Sequence, residues 1–123
     1  MAVVPEFLIR RNYQKGSLKK LTDGVSLTLK NVLGPGFISG FNYVKINDVI
    51  FKPEDVKFIT NNSELLGTDV SEESPIAFRL GQVGELVLMG QACLLDGINK
   101  IIIEVMNPEA GQVKLSVEDS FAY

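Results

Sequence analysis

The stretch Val44-Lys45-Ile46-Asn47-Asp48-Val49-Ile50-Phe51 has the pattern of a β-hairpin. Apolar and polar residues alternate up to Asn47-Asp48, a pair that tolerates the positive φ angles of a tight turn, and a second apolar run follows. The same period of two recurs in residues 25–30, 100–105 and 113–118. Because alternate side chains of a strand point to opposite faces, these runs predict antiparallel sheet with one apolar face.

Turn signals separate strand-sized runs along the whole chain, for example at Asp23-Gly24 and Asp96-Gly97. Helix signals are poor, because Val, Ile and Thr together occur 27 times and Ala five times. The sequence predicts one domain over residues 1–123, an all-β antiparallel β-sandwich of about seven to nine strands. At most one short helical turn is expected, near Pro53, and a barrel is the alternative architecture.

Composition excludes several classes of site. The chain has no histidine and one cysteine, Cys93, so it cannot form a Ser-His-Asp triad, a His metal site or an internal disulfide. Cys93 lies among apolar residues and is interpreted as a small buried side chain. The absence of a basic segment before an apolar run argues against a signal peptide, and no apolar run is long enough to span a membrane. We therefore expect a cytoplasmic protein.

The charge is unevenly distributed along the chain. The net charge is −3, but residues 1–31 hold six basic and two acidic residues (+4), whereas residues 32–123 hold six basic and thirteen acidic ones (−7). The overall balance disfavours binding to nucleic acid or to an anionic membrane. The basic segment is either a solvated face or a patch for an acidic partner or an anionic ligand.

Two segments are candidate interfaces. Bulky apolar residues are denser between positions 37 and 43 than one alternating face requires, so they form either core or a patch that a partner covers. The arginines and tyrosine after Ile9 suit an interface or a charge-protected edge strand. The candidate interface residues are Phe37, Ile38, Phe41, Tyr43, Arg10, Arg11 and Tyr13.

No residue is singled out as catalytic, metal-binding or cofactor-binding. The segment Gly34-Pro35-Gly36-Phe37-Ile38-Ser39-Gly40 fails the dinucleotide fingerprint and lacks the Lys-Ser/Thr of a P-loop, so it predicts a bend that redirects a strand. The acidic pairs are sequence neighbours, and neighbours on a strand point to opposite faces, so they predict no converging pair of carboxylates. Glu72-Glu73 lies in a polar loop before Pro75 and is most simply solvated. An enzyme that uses distant carboxylates and lysines stays a minor alternative.

Three stretches resemble the beta-subunit family of C-glycoside deglycosidases and its uncharacterised relatives. The first is Gly16-Ser17-Leu18-Lys19 with the strand that follows Asp23-Gly24, and the second is residues 44–56, where Asn47-Asp48 replaces the more usual Asp-Gly. The third runs from Pro75 to Ile101, and Asn99 stands in it where many members have a histidine. The resemblance covers most of the chain, but its motifs are structural turns.

The resemblance implies a β-sandwich accessory subunit that pairs with a larger TIM-barrel subunit, in which the divalent metal and the catalytic groups lie. We expect no cofactor in this chain itself. The leading hypothesis is a non-catalytic accessory or binding subunit of a homo- or hetero-oligomer. The alternative is a stand-alone homo-oligomeric sandwich that binds a carbohydrate or small ligand.

The chain also resembles short chains described as hydroxymethylglutaryl-CoA reductase. It lacks a nucleotide fingerprint, any histidine and the length for two substrates, so that activity is not expected of it.

Overall fold

The computed structural model describes residues 5–34, 36–61, 63–90 and 94–120. One short helix, α1 (Glu6–Ile9), precedes the strands, and 3₁₀ turns cover Arg10–Asn12, Pro53–Asp55 and Gly67–Asp69. The strands are β1 (Lys19–Leu21), β2 (Gly24–Lys30), β3 (Gly36–Ile38), β4 (Gly40–Ile46), β5 (Val49–Phe51), β6 (Val56–Thr60), β7 (Ser63–Leu66), β8 (Ile76–Phe78), β9 (Val83–Met89), β10 (Asn99–Asn107) and β11 (Gly111–Asp119).

The strands form two main antiparallel sheets and one small one. The five-stranded sheet has the order β1-β2-β9-β6-β7, and the four-stranded sheet has the order β11-β10-β4-β5. Strands β3 and β8 pair with each other in a separate two-stranded sheet. This arrangement confirms the predicted all-β, sandwich-like fold. The strand number exceeds the predicted seven to nine because β1, β3, β5 and β8 are pairings of only three residues each.

The core consists of the inward-facing side chains of the two main sheets. Val25 and Leu27 of β2 lie opposite Leu88 and Leu86 of β9, and all four side chains are buried. Three phenylalanines from different strands meet within this core: the ring centroid of Phe58 lies 5.6 Å from that of Phe41 and 5.6 Å from that of Phe78. Such tilted and edge-on contacts add to the energy of area burial.

The predicted hairpin of residues 44–51 is confirmed. Strands β4 and β5 pair with Val44 opposite Phe51 and Ile46 opposite Val49, and Asn47 in the turn has a φ of 55°. The turn is fixed to β10, because the backbone N–H of Asn47 donates to the carbonyl of Lys100 (2.8 Å). The alternating pattern thus sets both the pairing and the buried face.

The helical turn predicted at Pro53 is present, but α1 and the 3₁₀ turn after it were not predicted. The helix starts directly after Pro5, with Glu6 in its first turn. Ile9 and Tyr13, four positions apart, are both buried, whereas Arg10 and Arg11 between them are exposed. A four-residue spacing of buried apolar side chains is typical of a helix. The segment is too short for this spacing to repeat, so the sequence alone did not indicate a helix here.

Glycine allows a close approach at the centre of the core. A Cβ atom at Gly84 of β9 would overlap the ring of Phe58, whose Cζ and Cε1 atoms lie against the backbone at this position. Phe58 is fully buried, so its ring has no free space to move into.

Gly84→Ala is therefore expected to lower the free energy of unfolding by about 1–3 kcal/mol through overpacking, as measured by urea denaturation. Gly40→Ala is the matched control, because its new Cβ would make only ordinary contacts with Met106, the nearest at 3.6 Å. Equal stability of the two variants would contradict the close approach of Phe58.

Candidate functional site

A cleft of about 310 Å³ opens between the two main sheets. Its walls come from the C-terminal half of β10, the first half of β11, the end of β2, and β3 with β8. Ile9 of α1 and Asn12 of the following turn close one side. The lining residues are Ile9, Asn12, Leu29, Asn31, Leu33, Gly34, Gly36, Phe37, Ile38, Phe41, Phe78, Ile103, Val105, Asn107, Glu109, Ala110, Val113 and Leu115.

The cleft exists because the chain changes sheet at Ser39. Strand β3 pairs with β8, whereas β4, which starts one residue after Ser39, pairs with β10. The backbone N–H of Ser39 donates to the carbonyl of Met106 (2.8 Å), which holds the change of direction against β10. The bend predicted for the glycine-rich segment is therefore present, and it leaves Phe37 52% exposed at the mouth of the cleft.

Two buried or half-buried asparagines hold the loops around the cleft. The side-chain amide of Asn31 donates to the carbonyls of Gly34 and Phe78 (both 2.6 Å), and its Oδ1 accepts from the N–H of Leu33 (3.0 Å). Asn107 donates to the carbonyl of Phe37 (2.9 Å) and accepts from the N–H groups of Glu109 and Ala110. Their polar groups therefore serve the fold.

The polar groups that stay available to a ligand lie at the rim. Asn12 uses its Oδ1 to accept from the N–H of Val32 (3.0 Å), and its Nδ2 has no partner among the described residues. Glu109 is exposed, and its carboxylate makes no ion pair with a described residue. The described lining is thus mostly apolar, and Asn12 and Glu109 are the lining residues with a polar side-chain group that has no partner among the described residues.

The model of one protein family matches residues 8–122, nearly the whole chain. Its description is hydroxymethylglutaryl-CoA reductase, N-terminal domain. The chain belongs to this family. A search of curated proteins finds no match.

Membership of the reductase N-terminal domain family corrects the resemblance drawn from the sequence. The assignment to the C-glycoside deglycosidase beta subunits is wrong, because the family model that covers the chain is a different one. Two of the three stretches behind that assignment form the hairpins β1-β2 and β4-β5, a motif that recurs in unrelated sandwiches and carries no family-specific chemistry. The TIM-barrel partner that holds a metal was implied only by this resemblance, so the family assignment gives it no support.

The structure separates the seven candidate interface residues. Phe41, Ile38 and Tyr13 are buried within the domain, so they are core residues and not surface ones. Tyr43 is half-buried, and Phe37, Arg10 and Arg11 are exposed. Apolar residues are dense between positions 37 and 43 for two reasons. Strands β3 and β4 bury different faces, and the register shift in β4 next to Phe41 interrupts the alternation of inward and outward side chains.

Tyr13 takes part in a buried polar contact that sequence reasoning missed. Its hydroxyl donates to Oδ2 of Asp119 (2.6 Å), which also accepts from the N–H of Gly16 (2.8 Å), while Oδ1 accepts from the N–H of Ser120 (2.9 Å). Burial, and next the hydrogen bond to Asp119, raise the pKa of Tyr13 well above its ordinary value near 10. Tyr13 and Asp119 are 106 positions apart in the sequence, so no local sequence pattern predicts their hydrogen bond.

Since the folded state keeps the Tyr13 proton at pH values where the unfolded chain loses it, this stabilisation is complete below pH 10 and declines above it. We expect Tyr13→Phe to cost about 1–3 kcal/mol at pH 8, and we expect the gap from the wild type to narrow at pH 10–11. Denaturant unfolding at several pH values measures both effects, and other titrating groups cancel in the difference. A gap that widens with pH would contradict this assignment.

Asn99, which stands where the resemblance suggested a histidine, also has a structural role. It is completely buried, its amide donates to the carbonyl of Leu95 (2.9 Å), and its Oδ1 accepts from the N–H of Leu95 and from the amide of Asn47. Among the described residues, no group of three or more acidic, Cys or His side chains could hold a metal ion. Cys93 lies outside the described residues.

No helix in the described part of the chain is long and apolar enough to cross a membrane.

Proposed function

We propose that this chain is a non-catalytic binding domain that holds a small apolar molecule in the cleft between its sheets. The cleft carries this proposal. Its volume of about 310 Å³ falls at the lower end of the range of small-molecule pockets, roughly 300–1,000 Å³, and most of its lining is aliphatic or aromatic.

The chemistry of the lining supports binding over catalysis. Glu109 is the single ionisable side chain among the described residues that line the cleft, so no second acid or base lies there to complete a proton transfer. The amides of Asn31 and Asn107 are engaged with the loops around the cleft. Tyr13 and Asp119, the buried titratable pair, bond to each other and do not line it.

The cleft predicts measurable affinity for a neutral aromatic fragment. We expect indole to bind with a Kd on the order of 1 mM, and to shift the backbone NMR signals of residues around the cleft, such as Gly34, Phe37 and Ala110. Absence of saturable shifts at these residues would overturn the proposed function.

A matched pair of variants on β11 locates the site. Val113 and Val117 are both half-buried and pack against the core, but only Val113 lines the cleft. Val113→Phe should weaken indole binding about tenfold by filling the cleft, whereas Val117→Phe should leave it within about twofold. Thermal unfolding of both variants checks that each is folded.

A second candidate function is that of an accessory subunit in a larger assembly. Ile50, Leu95 and Ile98 are each more than half exposed, and they lie at the end of β10 away from the cleft. The Oδ1 atom of Asn99 accepts hydrogen bonds from the backbone N–H of Leu95 and from the side-chain amide of Asn47, and these bonds hold their segments together. The family description, which names the N-terminal domain of an enzyme, supports a domain that works beside a catalytic part.

Size exclusion with light scattering tests the accessory role, on the chain alone and after co-expression with the products of neighbouring genes. We expect an assembly of fixed stoichiometry that Ile98→Asp weakens at least about tenfold, because an ionised carboxylate would have to be buried. Leu80→Asp is the control, since Leu80 and Ile98 are equally exposed (60%) and Leu80 lies on a different turn. A monomer under all conditions would reject this function and leave the ligand-binding proposal standing.

A further inference from the structure

The charge around the cleft is asymmetric in a way that selects among ligands. Eighteen of the residues that the structure describes line the cleft, and they include one acidic side chain, Glu109, and no lysine or arginine. An apolar wall of low polarisability strengthens the field of a charge at its edge. A ligand with a carboxylate or phosphate would therefore meet like charge at the rim with no cation in the lining to balance it.

The other polar groups of the lining do not offset the negative charge of Glu109. Asn31 and Asn107 already use their amide nitrogens for the carbonyls of Gly34, Phe78 and Phe37. The Nδ2 of Asn12 is a neutral donor at the rim, able to bind a carbonyl or hydroxyl oxygen. The lining thus offers a ligand the charged carboxylate of Glu109 as an acceptor and the neutral Nδ2 of Asn12 as a weak donor.

Five exposed cations are chain neighbours of lining residues without contributing to the described lining themselves: Arg10, Arg11, Lys30, Arg79 and Lys114. Their ammonium and guanidinium groups are solvated, so they act at a distance and through solvent.

We infer that the cleft selects an apolar ring compound that carries an amine or hydroxyl group, which it directs at the carboxylate of Glu109, and that it rejects the anionic counterpart. This inference rests on the proposed function and specifies its ligand class.

The test uses three probes with one shared ring system: 2-naphthylmethylamine, 2-naphthylmethanol and 2-naphthoate. At pH 7 and an ionic strength of about 20 mM, where screening is weak, NMR titration should give the order amine, then alcohol, then carboxylate. The amine should bind at least about threefold more tightly than the carboxylate, as expected for a partly exposed ion pair.

Two charge-matched variants assign the effect to Glu109. Glu109→Gln should bring the affinities for the amine and the carboxylate to within about twofold of each other. Glu118→Gln removes the same charge from an exposed position of β11 outside the lining, and it should keep the preference for the amine.

The outcomes separate the two levels of the proposal. Equal affinity for all three probes, or tightest binding of the carboxylate, would overturn the inference about ligand class and leave the proposed binding function intact. Carboxylate binding lost in Arg10→Gln would show that the flanking arginines, and not Glu109, set the selectivity. Failure of every probe to bind would overturn the proposed function itself.

Discussion

The packing of Phe58 between the sheets is the constraint on which the rest of the structure depends. Its ring lies against the bare backbone of Gly84 in its own sheet and meets Phe41 of the facing sheet and Phe78 of the small sheet. All three sheets therefore share one side chain. Because protein interiors are close-packed, the position of this ring sets the distance between the sheets next to the cleft. Phe41 and Phe78 line the cleft on this side.

The cleft is a consequence of how the chain leaves the five-stranded sheet. After β2 the chain passes through Asn31, whose side chain bonds to four backbone groups of the next loop and of β8. The chain then pairs briefly as β3 before it joins the opposite sheet as β4. A direct entry into β4 would have closed the sandwich over Val105 and Val113. The short detour keeps the sheets apart there, and amide side chains replace the sheet hydrogen bonds that the detour gives up.

Period-two patterning made the strands and the Asn47-Asp48 turn predictable, because each of these signals is local. The same reasoning placed Phe41 and Tyr13 in a candidate interface, because it could not see a register shift or a partner 106 residues away. The cleft was not predictable for a related reason: its walls come from six separate segments. Composition did limit its chemistry, since a chain without histidine has few ways to build a catalytic centre.

The bond between Tyr13 and Asp119 also bears on the order in which the protein folds. It connects the segment before β1 to the end of β11, so almost the entire chain lies within the loop that it closes. Such a closure loses much chain entropy and gains stability only once the strands between have paired. Ile9 and Asn12, which close one side of the cleft, belong to the segment that this bond holds. We therefore expect this segment to attach late in folding, and the cleft to be complete only after the sheets have formed.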